Sequence, residues 1–259
     1  MTSAPRPLDG VKVVEFSHMV MGPTCGLILA DLGADVVKVE PASGGDNTRY
    51  LPGSGSGIFG TYNRNKRSVS VNLKSPEGLE FASRLVRESD VLIENFSAGV
   101  LERLGLGYEA MQKANPRLVY CALKGFLSGP YEQRVALDEV VQMMGGLAYM
   151  TGPEGRPLRA GASVNDVMGG LFGVVAIQAA LWERQRTGKG TFVRSGLFEN
   201  NMFLVAQHML QYRQTGVPAV PMPERKSAWA IYDVFETADD ENIFVGVVSD
   251  KQWTCLLYT

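Results

Sequence analysis

Cysteine, histidine and net charge are all in short supply in this 259-residue chain, and each shortage closes off a class of function. The three cysteines, Cys25, Cys121 and Cys255, stand far apart with no CxxC pair. That argues against a disulfide framework or a structural zinc and points to a reducing compartment. His18 and His208 are the only histidines, which leaves no histidine-rich metal site and little room for a Ser-His-Asp triad. Lys+Arg 25 against Asp+Glu 27 gives a formal net charge of -2. Nucleic acid is therefore not an expected partner, and any anion site must be a local basic cluster. The longest apolar run, residues 167–182, is interrupted by Gln178 and falls short of the roughly 20 residues of a bilayer span. The opening MTSAPRPLDG has no apolar signal core. The expectation is a soluble, cytoplasmic protein with no membrane partner and no metal.

What is present is ordinary globular composition, 45% hydrophobic and 20% charged, in a chain long enough to bury a core without staples. Strand and helix patterns alternate through the first half. Residues 11–16 (VKVVEF) read as a buried strand; Pro23 sits in the first turn of an apolar-periodic helix that Gly33 ends; residues 36–40 form the next strand. Residues 41–67 read as a long loop, of the kind that is functional or mobile. Further strands are expected at 68–73, 90–94, 118–123 and 191–195. Helices are expected from Ser75-Pro76, over 136–150, 164–186 and 199–214. The order implies a doubly wound α/β fold with a parallel sheet. Residues 215–226 hold three prolines and read as a linker, followed by a hairpin around residues 238–241. A final amphipathic helix begins at Asp250 and the chain stops inside it at Thr259, so a C-terminal part of a longer protein is expected to be missing.

Four local signals bear on chemistry. Gly55-Ser56-Gly57-Ile58-Phe59-Gly60 matches G-x-G-x-x-G but lies in the middle of a polar loop, without the strand immediately before it and the helix immediately after it that a dinucleotide site needs, and reads as a flexible loop. His18 lies where the first strand meets the first helix, at the sheet edge where α/β folds bind ligands, or it is a hydrogen-bonded structural residue. The basic run Asn63-Arg64-Asn65-Lys66-Arg67, with Lys74, Arg103, Lys124 and Arg134, forms either a phosphate site or solvated surface charge. Asp166 stands at the start of the most apolar helix, among Gly161, Gly169 and Gly170, which would let a ligand or another chain come close. It is a candidate covalent nucleophile, but Ser163-x-x-Asp166 also has the form of a capping box.

The wording of many segments resembles the family III CoA-transferases, the CaiB/BaiF or formyl-CoA/carnitine type. The resemblance is carried by Pro7-Leu8-Asp9-Gly10, Gly22-Pro23, Leu32-Gly33-Ala34-Asp35-Val36, Asn63-Arg64-Asn65-Lys66-Arg67-Ser68 and Leu73-Lys74-Ser75-Pro76-Glu77-Gly78. It continues through Glu94-Asn95-Phe96, Asn115-Pro116-Arg117, Asp138-Glu139-Val140-Val141-Gln142, the stretch from Gly161 to Asp166, and Arg186-Thr187-Gly188-Lys189-Gly190. It implies a Rossmann-like large domain (residues 1–214), a linker (215–229), the start of a smaller α+β domain (230–259), and an interlocked homodimer at full length. It implies transfer of CoA from an acyl-CoA to a carboxylic acid, with coenzyme A as cosubstrate and no tightly bound cofactor. Asp166 matches the nucleophilic aspartate. His18, Met19 and Val20 match the loop at the thioester end. Val71, Asn72, Leu73, Lys74, Asn95, Phe96 and Arg103 match CoA-binding stretches. Lys124 and Arg134 lie near a basic site of the family, and Asp138 matches an acidic residue near the active site. Pro41 stands where formyl-CoA transferases carry a CoA-contacting arginine, so the adenine end would be held differently. Oxyanion donors are expected from backbone N–H groups near Gly169 and His18. The α-methylacyl-CoA racemases resemble the chain too, but carry Gly-His-Asp where this chain has Ala136-Leu137-Asp138, and leucine exchanges no proton. Residues 215–229 contain no Gly-rich insertion of the formyl-CoA:oxalate kind, which points to another acid pair, such as succinyl-CoA and a small dicarboxylate.

Overall fold

The computed structural model describes residues 4–225, 227–229 and 231–258. Lys226 of the expected linker, Ala230 at the expected start of the small domain, the first three residues and Thr259 lie outside the described residues.

In chain order the elements are β1 (Lys12–Phe16), α1 (Met21–Asp31), β2 (Asp35–Pro41), α2 (Ile58–Asn63), β3 (Arg67–Val71), α3 (Pro76–Arg87) and β4 (Val91–Glu94). They continue with α4 (Val100–Arg103), α5 (Tyr108–Ala114), β5 (Val119–Lys124), α6 (Asp138–Met144), α7 (Leu147–Thr151), α8 (Val164–Thr187), β6 (Phe192–Gly196) and α9 (Leu197–Thr215). The hairpin β7 (Ile231–Glu236) and β8 (Asn242–Val247) and the helix α10 (Asp250–Leu257) follow. Strands β1 to β6 form one parallel sheet in the order β3-β2-β1-β4-β5-β6. This is the doubly wound order, which reverses direction between β1 and β4. The central strands are runs of Val, Leu and Ile because both faces are covered: all four residues of β4 are buried. One core lies between the sheet and α1 with α8, the other between the sheet and α3 with α5.

At 24 residues α8 is long and apolar enough to cross a bilayer by length and composition. Here it packs on α1, α9, β5 and β6. Its glycines make that packing possible. A Cβ on Gly170 would lie 2.8 Å from the Met21 carbonyl oxygen, and one on Gly169 2.5 Å from Met21 Cε. These two glycines are therefore used for helix–helix approach rather than for a ligand; Gly161 has open space around it.

Two expected elements change form. Residues 41–67 are not one loop: they hold two 3-10 turns (Asn47–Tyr50 and Gly53–Gly55) and α2. The helix expected over 136–150 is two helices, broken where Gly146 adopts a φ of +83° that L side chains avoid.

A buried ion network explains the order in the first of these segments. Lys38 Nζ lies 3.3 Å from Glu15 and 3.0 Å from Asp46 and donates to the Ser17 carbonyl at 2.6 Å. Lys66 Nζ lies 2.8 Å from the other Glu15 oxygen and donates to the Pro23 carbonyl. The side chains of all four ions are at most 2% exposed. The basic run at 63–67 is thus not an anion site. Lys66 neutralises Glu15, Arg64 pairs with Asp31, and Arg67 pairs with Asp35 at the opposite end of the sheet from His18.

Candidate active site

The loops at the carboxyl ends of β1 and β4 are clasped together at the switch point. The Asn95 side chain accepts from the His18 backbone N–H at 3.0 Å and donates to the His18 carbonyl at 2.8 Å. Gly22 makes room for it, since a Cβ there would lie 3.0 Å from Asn95 Cγ. The His18 ring stacks on Phe96 at 5.8 Å, and burial holds its pKa below the usual imidazole value, so it is neutral at pH 7. Met19 follows in the left-handed region, φ +62°, a conformation that costs a non-glycine residue free energy and recurs at ligand sites.

Three hollows run side by side over these loops. The outer one, about 600 Å³, is lined by Pro41, by Val71, Asn72, Leu73 and Lys74 after β3, and by Phe96. The middle one, about 240 Å³, shares Pro41 and Phe96 with it and adds Ser17, His18 and Met19. The inner cavity, about 490 Å³, shares His18 and Met19 with the middle one and contains Val20, Asn95, Lys124, Leu137, Asp138, Glu139, Arg159 and Asp166. Eleven of the sequence-expected positions therefore line three adjoining hollows, the inner one of which also holds the nucleophile candidate. Two do not. Arg103 is exposed on α4 and lines none of the three hollows; Arg134 is exposed and lies over the Tyr131 ring at 4.7 Å.

The capping reading of Ser163 and Asp166 is overturned by Asp138. The Ser163 side chain makes no cap bond. Instead Asp138 Oδ2, from α6, accepts from the backbone N–H of Asn165 at 2.7 Å and of Asp166 at 2.9 Å, while Oδ1 accepts from Gln142. A carboxylate from a neighbouring helix thus serves the first turn of α8. The Asp166 carboxylate is left with no hydrogen-bond partner among the described residues and lines the cavity. Burial, with repulsion from Asp138 and then Glu139, raises its pKa to about 7.

This has a direct pH consequence. Only the carboxylate form of Asp166 is nucleophilic, so any acyl transfer to this candidate should rise with pH through a midpoint near 7 and level off above it. Asp138→Asn keeps an acceptor oxygen for the helix but removes the nearest repelling charge. Its midpoint should shift to lower pH in single-turnover acylation; an unchanged midpoint would refute the coupling.

Other expectations need correction. Lys124 is engaged: its Nζ contacts Glu94 at 2.6 Å and donates to the Phe96 carbonyl at 2.6 Å, so it secures the β4 loop rather than standing open to an anion. The expected oxyanion donors are also occupied. The His18 N–H is bonded to Asn95, and the Gly169 N–H lies inside α8, where the helix ladder takes it. Residues missed in the sequence are Arg159, Glu139, and Ser54, Gly55, Ile58 and Tyr62, which reach the cavity from the segment before and within α2. The G-x-G-x-x-G match does open a helix, α2, but follows a 3-10 turn rather than a strand. No cluster of His, Cys, Asp and Glu fit for a metal ion occurs among the described residues.

The chain is similar to known proteins over most of its length. The model of "CoA-transferase family III" matches residues 8–259. A succinate–glutarate CoA-transferase of Agrobacterium fabrum is 39% identical over 254 residues, 92% of this chain and 64% of the relative. A formyl-CoA:oxalate CoA-transferase of Rhodopseudomonas palustris is 43% identical over 197 residues, 74% of this chain and 46% of the relative. A crystal structure of a CAIB/BAIF family protein from Brucella suis superposes with a TM-score of 0.88 at 37% identity, over 98% of this chain and 70% of that one. The chain spans 64%, 59% and 61% of the length of three curated relatives that it matches.

Proposed function

Because the chain belongs to CoA-transferase family III, we propose that it moves coenzyme A from an acyl-CoA donor to a carboxylic acid, with Asp166 as covalent nucleophile. The observation that carries this reading is the unpartnered Asp166 carboxylate in the inner cavity, with its helix capped by Asp138 instead. An Asp166 oxygen attacks the thioester carbonyl; the C–S bond breaks, and CoA thiolate leaves a mixed acyl–aspartyl anhydride. The thiolate attacks the aspartyl carbonyl, releasing the first acid and forming an aspartyl-CoA thioester. The acceptor carboxylate attacks that thioester and expels the thiolate, forming a second anhydride. The returning thiolate takes the new acyl group and restores the Asp166 carboxylate. The backbone N–H groups of Gly161 and Ala162, which line the cavity and donate to no group among the described residues, stabilise the oxyanions.

Coenzyme A is the cosubstrate and lies along the outer and middle hollows, its thioester at Met19. The relatives' names mention succinate, glutarate and oxalate, which supports a small dicarboxylate acceptor with succinyl-CoA as one donor. Residues 1–214 serve as the CoA-binding domain, 215–229 as linker, and 230–259 begin a second domain. The full-length protein works in the cytoplasm as an interlocked homodimer. No observation favours a racemase: Leu137 lines the cavity beside Asp138 and carries no proton to exchange.

The test is a panel of acyl-CoA donors and acids on the complete protein, with CoA products identified by mass spectrometry. Failure of every donor to acylate Asp166 would refute the reading. A CoA-binding protein without turnover would instead bind CoA in titration and form no product. The outer hollow is tested separately. Lys74→Ala should weaken CoA roughly 3- to 10-fold, the scale of one partly exposed charge-assisted contact. It should leave the KM of the acid unchanged, and CoA affinity should fall with salt. Arg103→Ala, outside the hollows, should have the smaller effect.

A further inference from the structure

Arg159 shares the inner cavity with Asp166 and is the cation there with unused donors. Its Nε donates to the Ala160 carbonyl at 3.0 Å and its Nη1 pairs with Glu139, which leaves Nη2 with no partner among the described residues. The other basic groups on the wall are committed: Lys124 to Glu94 and Phe96, and His18 neutral against Phe96. Asp166, Asp138 and Glu139 make the same wall acidic. An acid with a second carboxylate would be repelled from it unless one cation received that group.

The Glu139 pair does not prevent this. Both side chains are about 42% exposed, and exposed pairs are weak and exchangeable. A guanidinium presents several N–H groups in one plane and takes a carboxylate two bonds at a time. We propose that Arg159 binds the remote carboxylate of a dicarboxylic acid whose other carboxylate reacts at Asp166, and that Glu139 competes for the same guanidinium. The assignment rests on the CoA-transfer reading and goes beyond it by naming the residue that selects diacids over monoacids.

The opposed effects of the two partners make the test. The complete protein is assayed with one acyl-CoA donor and two acceptors of similar length, glutarate and butyrate. Wild type should prefer glutarate. Arg159→Met should lower the glutarate-to-butyrate ratio of kcat/KM by about 10- to 100-fold, the scale of a charged hydrogen-bonded contact, chiefly through the KM of glutarate. Arg159→Lys should retain part of the preference. Glu139→Gln should lower the KM of glutarate severalfold and that of butyrate clearly less, a difference that a merely structural pair would not produce. Equal losses for both acids in Arg159→Met, no preference in wild type, or a raised glutarate KM in Glu139→Gln would each overturn the assignment. Hydroxylamine trapping of the acyl group on Asp166 is run on every variant. Trapping without a change in selectivity sinks Arg159 alone, whereas no trapping in wild type sinks the transfer reading and this role with it.

Discussion

Asp166→Asn should leave a folded protein whose turnover falls by 10³-fold or more, on the order seen when other enzymes lose a covalent nucleophile. The substitution keeps the shape of the side chain and removes only its ability to form an anhydride. Since the helix is capped by Asp138, no cap is lost. The stability of the variant carries an independent signature. In the folded protein burial raises the Asp166 pKa to about 7 from 3.8. Between those values the folded state holds a proton that the unfolded state has lost, so stability falls as pH rises through this window. The Asn variant has no such titration. It should match wild type near pH 4 and exceed it in urea denaturation at pH 8. Near-normal turnover, or hydroxylamine trapping on another residue, would end the assignment.

Lys38→Met should destabilise the protein by about 3–5 kcal/mol, the usual cost of stranding a buried charge. Glu15 would keep Lys66, but Asp46 would lose its counterion and the Ser17 carbonyl its donor. Arg64→Ala is the control: its pair with Asp31 is exposed on both sides, so the loss should stay below about 1 kcal/mol. Equal effects in the two variants would refute the distinction between these cations. Lys38→Met should also loosen the middle hollow, since Ser17 and Asp46 line it, and raise the KM for CoA.

Much of the fold was legible because it rests on local signals. Apolar runs marked the strands, and Ser75 accepts from the Gly78 N–H with Pro76 in the first turn, as the capping pattern implied. The candidate site was legible through Asp166, through the Val71–Lys74 stretch and through Asn95. What could not be read depends on partners distant in sequence. Asp138 caps a helix 27 residues downstream, a relation no local pattern shows, and the apparent capping box at Ser163 pointed the wrong way. The order in residues 41–67 comes from Lys38, Asp46 and Lys66 meeting Glu15. Buried charges of this kind have no periodicity, and in the sequence Lys66 looks like surface. Arg159 carried no motif at all.

The Asn95 clasp also decides the path a ligand must take. In open α/β sheets the bound molecule settles into the crevice that opens where the strand order reverses. Here part of that crevice is taken by the protein's own amide, bonded to the His18 backbone N–H and carbonyl. A long, thin ligand reaching from the β2 and β3 loops past Met19 to Asp166 would cross over this clasp. For such a ligand the distance from the outer hollow to Asp166 would set a required reach, whatever its girth.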